Sequence, residues 1–140
     1  MFAVLLGFVV AGCAVPAPKV LPVARPFPIE ICVIENPRIR QGFLDAYRSA
    51  LEAKGFHVRI VPPSGAVGDC ALFSRYTADW NWDLAVYLKS AMIWIYSDEH
   101  RVAGQAIYNT GYFKLGMYAS AKDTVTELVD QLFPGTVTAP

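Results

Sequence analysis

Residues 29–63 read IEICVIENPRIRQGFLDAYRSALEAKGFHVRIVPP, and their hydrophobic period changes twice. Ile29 to Ile34 is a short apolar, β-branched run, which reads as a buried strand. Asn36-Pro37 then offers a cap followed by a proline suited to a first helical turn. Next, Ile39, Phe43, Ala46, Tyr47, Ala50 and Leu51 fall on one stripe, with Arg40, Gln41, Asp45, Arg48 and Glu52 opposite, so the period has become helical. Gly55 is placed to end that helix. Phe56 to Val61 returns to strand, and Pro62-Pro63 stops it. A strand, a helix and a second strand joined this closely form a right-handed crossover with parallel strands.

Downstream, Cys70 to Thr77 reads as a third strand. Leu84 to Tyr96 is a long fourth one with a bend expected near Ser90. Arg101 to Phe113 returns as its hairpin partner across Ser97-Asp98-Glu99-His100. Ser120 with Asp123 resembles a capping box, and Val125, Leu128, Val129, Leu132 and Phe133 follow at helical spacing until Pro134-Gly135. The order is β-α-β-β-β-β-α. Short turns make the later strands antiparallel, so the expected fold is α+β: a two-layer sandwich whose mixed, mostly antiparallel sheet carries both helices on one face. The domain spans residues 29–134, with residues 135–140 as a flexible tail.

The amino end has a different composition. Residues 2–12, FAVLLGFVVAG, are apolar or small throughout. Such a run spans roughly 16 Å as helix, about half of a hydrocarbon core, so it has the length of a signal-peptide hydrophobic region rather than of a resident membrane helix. No Lys or Arg precedes it, a departure from the usual positive opening. It ends in Val10-Ala11-Gly12-Cys13, an apolar and two small residues before cysteine, as in the bacterial lipobox. That likeness implies a signal in residues 1–12, cleavage before Cys13 and acylation of its thiol and freed amine. Several acyl chains hold a protein at a membrane where one is marginal. Ala14 and Val15 include no aspartate, which by likeness to sorted lipoproteins implies the outer membrane, facing the periplasm. Residues 13–28 contain prolines 16, 18, 22, 26 and 28, and the expectation is an extended tether of roughly 45 Å.

Charge narrows the function classes. Lys and Arg number 12, Asp and Glu also 12, and all follow Cys13. A neutral chain without a basic run gives no footprint for nucleic acid. Cys32 and Cys70 remain once Cys13 is assigned. Export places them where an even pair of thiols forms a disulfide by default, the alternative being two separate buried thiols.

With these residues in view, the chain resembles small envelope lipoproteins of Gram-negative bacteria. The features that carry the resemblance are Cys13, Glu30-Ile31-Cys32 followed by Asn36-Pro37, Gly42-Phe43, Cys70, Tyr76-Thr77-Ala78, Trp82-Asp83, Tyr87-Leu88, Ala91, Ala106 and Tyr108. It implies an envelope lipoprotein with a disulfide and no particular activity.

Two surfaces are candidates for function. Along the fourth strand Ala91, Ile93 and Ile95 alternate with Met92, Trp94 and Tyr96, so both faces are apolar, and Ile107 joins the second set from the partner strand. A half-solvated antiparallel sheet alternates apolar with polar. Met92, Trp94, Tyr96 and Ile107 are therefore expected to form a docking face for an envelope protein, a second copy or lipid, unless the tether or a loop covers them. The second candidate is Asp79-Trp80-Asn81-Trp82-Asp83, two indoles among carboxylates, which suits stacking on an envelope glycan. The alternative packs a Trp under the hairpin and uses the acids in turns. Catalysis is not expected: Asp79 and Asp83 lack an evident cleft for glycoside hydrolysis, and no G-x-S-x-G stretch is present. His57 and His100 lack ligand spacing. No metal or cofactor is expected.

Overall fold

The computed structural model describes residues 19–83, 85–98, 101–109 and 120–137, without the side chains of 81–87. Among them, six strands form one mixed sheet: β1 (Lys19–Leu21), β2 (Glu30–Ile34), β3 (His57–Val61), β4 (Leu72–Asp83), β5 (Ala85–Asp98) and β6 (Arg101–Asn109). Helices α1 (Gln41–Ala53) and α2 (Ala121–Leu132) complete an α+β fold. The strand order is β1-β6-β5-β4-β2-β3, with both helices packed on one face.

The α1 crossover makes β2 and β3 parallel, Cys32 opposite Arg59. The third predicted strand departs from expectation. Instead of turning back on β3, β4 lies on the far side of β2 and parallel to it, Ile31 opposite Leu72. Pro62-Pro63 prevents a tight hairpin, and the chain takes the longer route of residues 62–71 across the sheet. Cys70 consequently sits just before β4 rather than within a strand. β4 also runs further than expected, through Trp80 and Trp82 to Asp83, because it pairs antiparallel with β5 along that length. The irregularity expected near Ser90 is present: Asp79 opposes Ser90 and Trp80 opposes Leu88, leaving Lys89 as the extra residue of a bulge. In β6 the predicted residues 110–113 lie outside the described residues.

Local signals for the helices succeed unevenly. Ser120 caps α2, its Oγ accepting the Asp123 N–H at 3.1 Å, and Gly55 takes the left-handed conformation after α1 with φ of +96°. Asn36, expected as the α1 cap, lies before a separate turn and is recruited elsewhere. Its Oδ1 accepts the Arg38 N–H, while its backbone N–H donates to Tyr76 Oη and its amide to the Tyr76 carbonyl. Arg40 precedes the helix with no side-chain cap.

The core lies between the sheet and the helices. Phe43, Tyr47 and Leu51 of α1 and Val125, Val129 and Leu132 of α2 are fully buried with Ile31, Val33, Ile93, Ile95 and Ala106 of the sheet. Each large side chain buried this way contributes about 1.5–3 kcal/mol. The buried Tyr47 hydroxyl is satisfied by a hydrogen bond with Ser74 Oγ at 2.7 Å, and burial raises its phenol well above the ordinary value.

The proline-rich stretch is not a free tether as far as Pro28. Lys19–Leu21 pairs antiparallel with β6, and the Val23 N–H donates to the Leu132 carbonyl at 2.8 Å. Phe27 packs edge-on against Phe133 and tilted against Phe56. Arg25 donates to the Pro134 and Thr136 carbonyls. Proline forbids a central strand but leaves Lys19–Leu21 free to form an edge. The body thus includes the chain from Lys19 onward, ten residues earlier than expected. The expected tail also joins it, the Val137 N–H donating to the Lys54 carbonyl.

Gly104 is where this docking becomes tight: a Cβ there would stand 2.6 Å from Val23 Cγ2 and 3.2 Å from Leu132 Cδ1. Gly104→Ala is expected to lower the unfolding free energy by about 1–3 kcal/mol in urea titration. An unchanged midpoint would show that the β1 segment contributes no rigid packing.

Candidate functional site: the helix-free face of the sheet

Strand alternation sends Met92, Trp94 and Tyr96 away from the helices, since Ala91, Ile93 and Ile95 fill the core. Register then builds the face row by row. Leu21, Gln105, Trp94 and Arg75 follow one another across β1, β6, β5 and β4, and beside them run Lys19, Ile107, Met92 and Thr77.

One end of this face is covered. Residues 62–71 cross over it, and Val61, Val67, Cys70 and Phe73 gather with Cys32 and Ile34 into a second small core. Tyr96 stacks on Phe73 with ring centroids 5.0 Å apart. Cys32 and Cys70 form a disulfide that fastens the crossing segment to β2. Arg59 lies over the bridge, its Nη2 3.2 and 3.1 Å from the two sulfurs, with Asp69 at 3.0 Å and Glu30 at 3.3 Å. The Arg59 guanidinium, by hydrogen bond and then by charge, holds the Asp69 carboxyl below the usual carboxylate range. This end is structural.

Among the described residues, none covers the other end. Met92, Trp94 and Ile107 are half-buried, and Leu21 stays 58% exposed. Two cavities flank them. One, of about 360 Å³, is walled by Glu35, Pro37, Pro63, Arg75, Thr77 and Trp94. The other, of about 290 Å³, lies along Lys19, Leu21, Gln105 and Ile107. Glu35 and Arg75 line the first without an ion pair to each other or to any other described residue.

The four residues expected to form a docking face do share this face. Met92, Trp94 and Ile107 belong to its open part, whereas Tyr96 belongs to the covered part through Phe73. The loop coverage weighed in the sequence is found at one end, while β1, from the stretch expected as tether, extends the sheet edge without covering the face. Leu21, Arg75 and Glu35 carried no signal, because only register brings them beside Trp94.

The candidate glycan residues separate. Trp80 points to the helix side, where the Arg40 guanidinium lies 5.5 Å from its ring centre. Its Nε1 is buried without a partner among the described residues. Asp79 points to the opposite face and accepts from Ser90 Oγ at 3.3 Å. The side chains of Trp82 and Asp83 lie outside the described residues, as does Cys13. Among the described residues no helix is long and apolar enough to cross a membrane, and no cluster of ligand-type side chains is arranged for a metal.

A two-layer α+β sheet with both helices on one face defines the class. The fold recurs in a PelC dodecamer from Paraburkholderia phytofirmans, with a TM-score of 0.61 and 13% identity over 84% of this chain and 98% of that one. A single-substitution variant of that dodecamer gives 0.63 and 12% over 84% and 99%. A minor lipoprotein from Acinetobacter baumannii superposes loosely, with a TM-score of 0.42 at 15% identity over 76% and 92%. At these identities the likeness is one of fold alone. No family profile and no curated protein matches the sequence.

Replacing Cys32 and Cys70 together by alanine is expected to cost about 4 kcal/mol of stability for a closed loop of this length, read by urea titration. Proteolysis within residues 62–71 should rise in parallel, and unchanged cleavage would show that the bridge does not hold the segment down.

Proposed function

We propose that this chain is a lipid-anchored protein of the Gram-negative outer membrane, facing the periplasm, that performs no catalysis and works as a subunit or accessory of an envelope assembly. It docks through the open half of the helix-free sheet face. A second copy of the chain is the occupant, with an unrelated envelope protein as the alternative.

One observation carries this reading: Met92, Trp94 and Ile107 stand beside exposed Leu21 on a sheet face that no helix among the described residues covers. An apolar patch of this kind gains free energy when another surface excludes water from it. The fold adds support, because the PelC protein that shares it is described as a dodecamer. An assembly larger than a dimer needs two distinct contact patches on each subunit, or one heterologous pair. The anchor draws its support from Val10-Ala11-Gly12-Cys13. With only residues 13–18 between Cys13 and β1, the body is held near its leaflet rather than at the end of a long stalk. A glycan-binding role for Asp79, Trp80, Trp82 and Asp83 is the second reading, and it gains nothing from Trp80, whose ring is taken by Arg40.

Trp94→Glu combined with Ile107→Glu is expected to convert the assembled protein to monomer in analytical ultracentrifugation while far-UV circular dichroism stays unchanged. A wild-type chain that sediments as monomer at all concentrations, and captures no envelope protein by crosslinking in cells, would remove the docking role. Separately, Cys13→Ser is expected to move the protein from the membrane to the soluble fraction. Mass spectrometry of an unmodified Cys13 thiol in the mature chain would overturn the anchor.

A further inference from the structure

The cavity at the carboxyl ends of β2 and β3, beside the middle of β4, has a chemistry of its own. It measures about 360 Å³, which falls in the range of small-ligand sites. Open sheets bind ligands outside the carboxyl ends of parallel strands, where the chain leaves the sheet and its loops diverge. Here β2 ends at Ile34, and the chain turns away through Glu35, Asn36 and Pro37.

The walls are fixed in place. The Glu35 N–H donates to the Val61 carbonyl at 2.8 Å. Asn36 is held to Tyr76 by two hydrogen bonds, and Pro37 and Pro63 have little freedom of their own. Trp94 stands opposite Arg75 in the β4–β5 register, and both side chains line the cavity. Two opposite charges line this one cavity, and neither has an ion-pair partner among the described residues. Arg75 keeps its fork of donors unspent, and Glu35 is a half-buried carboxylate with no described cation beside it. A partly buried charge without a counter-charge is costly.

We propose that this cavity binds a small zwitterion of the amino-acid class, its carboxylate on Arg75, its ammonium on Glu35 and its side chain against Trp94 between Pro37 and Pro63. A space of that volume is about 9 Å across. Two charged hydrogen bonds of about 2.8 Å with an amine and carboxylate between them need about the same span. The indole face adds attraction for the ammonium. A ligand with only an ammonium would leave the exposed Arg75 donors unused, and one with only a carboxylate would leave half-buried Glu35 without a counter-charge. The same chemistry is offered by a free amino acid or by a peptide side chain that ends in an amine and a carboxylate on one carbon. The site does not depend on self-association, although an occupant of the open face would compete for Trp94.

The test uses the whole chain and follows the indole N–H resonance of Trp94 by NMR, assigned with Trp94→Phe. Phenylalanine is expected to shift it saturably. Phenylalaninamide, which lacks the carboxylate, and N-acetylphenylalanine, which lacks the ammonium, are expected to bind about tenfold more weakly or worse. Arg75→Gln should abolish the preference for phenylalanine over its amide, and Glu35→Gln the preference over the N-acetyl compound. A peptide ending in 2,6-diaminopimelate acylated at one amine tests the second source, and tighter binding than phenylalanine would assign the ligand to a peptide. No shift with any probe, or equal binding by all three phenylalanine compounds, would overturn the proposal whether or not the protein assembles.

Discussion

Strand β5 presents apolar side chains to both layers, and among the described residues only one layer has helices to receive them. Ala91, Ile93 and Ile95 disappear beneath the helices, while Met92, Trp94 and Tyr96 need other cover. Much of the rest of the architecture follows from this asymmetry. Residues 62–71 cross the second face and bury Tyr96 against Phe73, and the disulfide fastens them there. The β1 strand widens the sheet on the opposite side. What neither device reaches is the strip from Leu21 through Ile107 and Met92 to Trp94.

The crossing segment also decides topology. A pair of prolines after β3 denies the chain an immediate hairpin, and the excursion lets β4 settle on the other side of β2. The central β2 therefore has parallel neighbours on both sides, which explains why its residues are buried on both faces. Arg59 completes this end, balancing Glu30 and Asp69 over the sulfurs. These charges are exposed and solvent-screened, so their role is local order rather than a large gain in stability.

The amino-terminal stretch shows how composition can mislead. Five prolines suggest a stiff spacer, and each does forbid a helix or a central strand. None of them forbids Lys19–Leu21 at an edge, or Phe27 from meeting Phe56 and Phe133. Proline restricts the conformation of its own neighbourhood but says nothing about which surface that neighbourhood will touch. The same limit applies to Asn36, whose side chain has the chemistry of a helix cap but finds Tyr76 forty residues away instead.

Patterning alone determined the α+β class, the two helices, the hairpin of β5 and β6, the Ser120 cap and the apolar character of both faces of β5, because period and local hydrogen bonding act within a few residues. Cysteine parity and the expectation of export indicated the Cys32–Cys70 pair before any geometry. Strand order, the parallel placement of β4, the packing of Trp80 against Arg40 and the meeting of Glu35 with Arg75 beside Trp94 were settled only in the folded chain. Each depends on which strand lies next to which, a choice made by loop path and long-range packing. A single residue's neighbours in sequence carry no record of that choice.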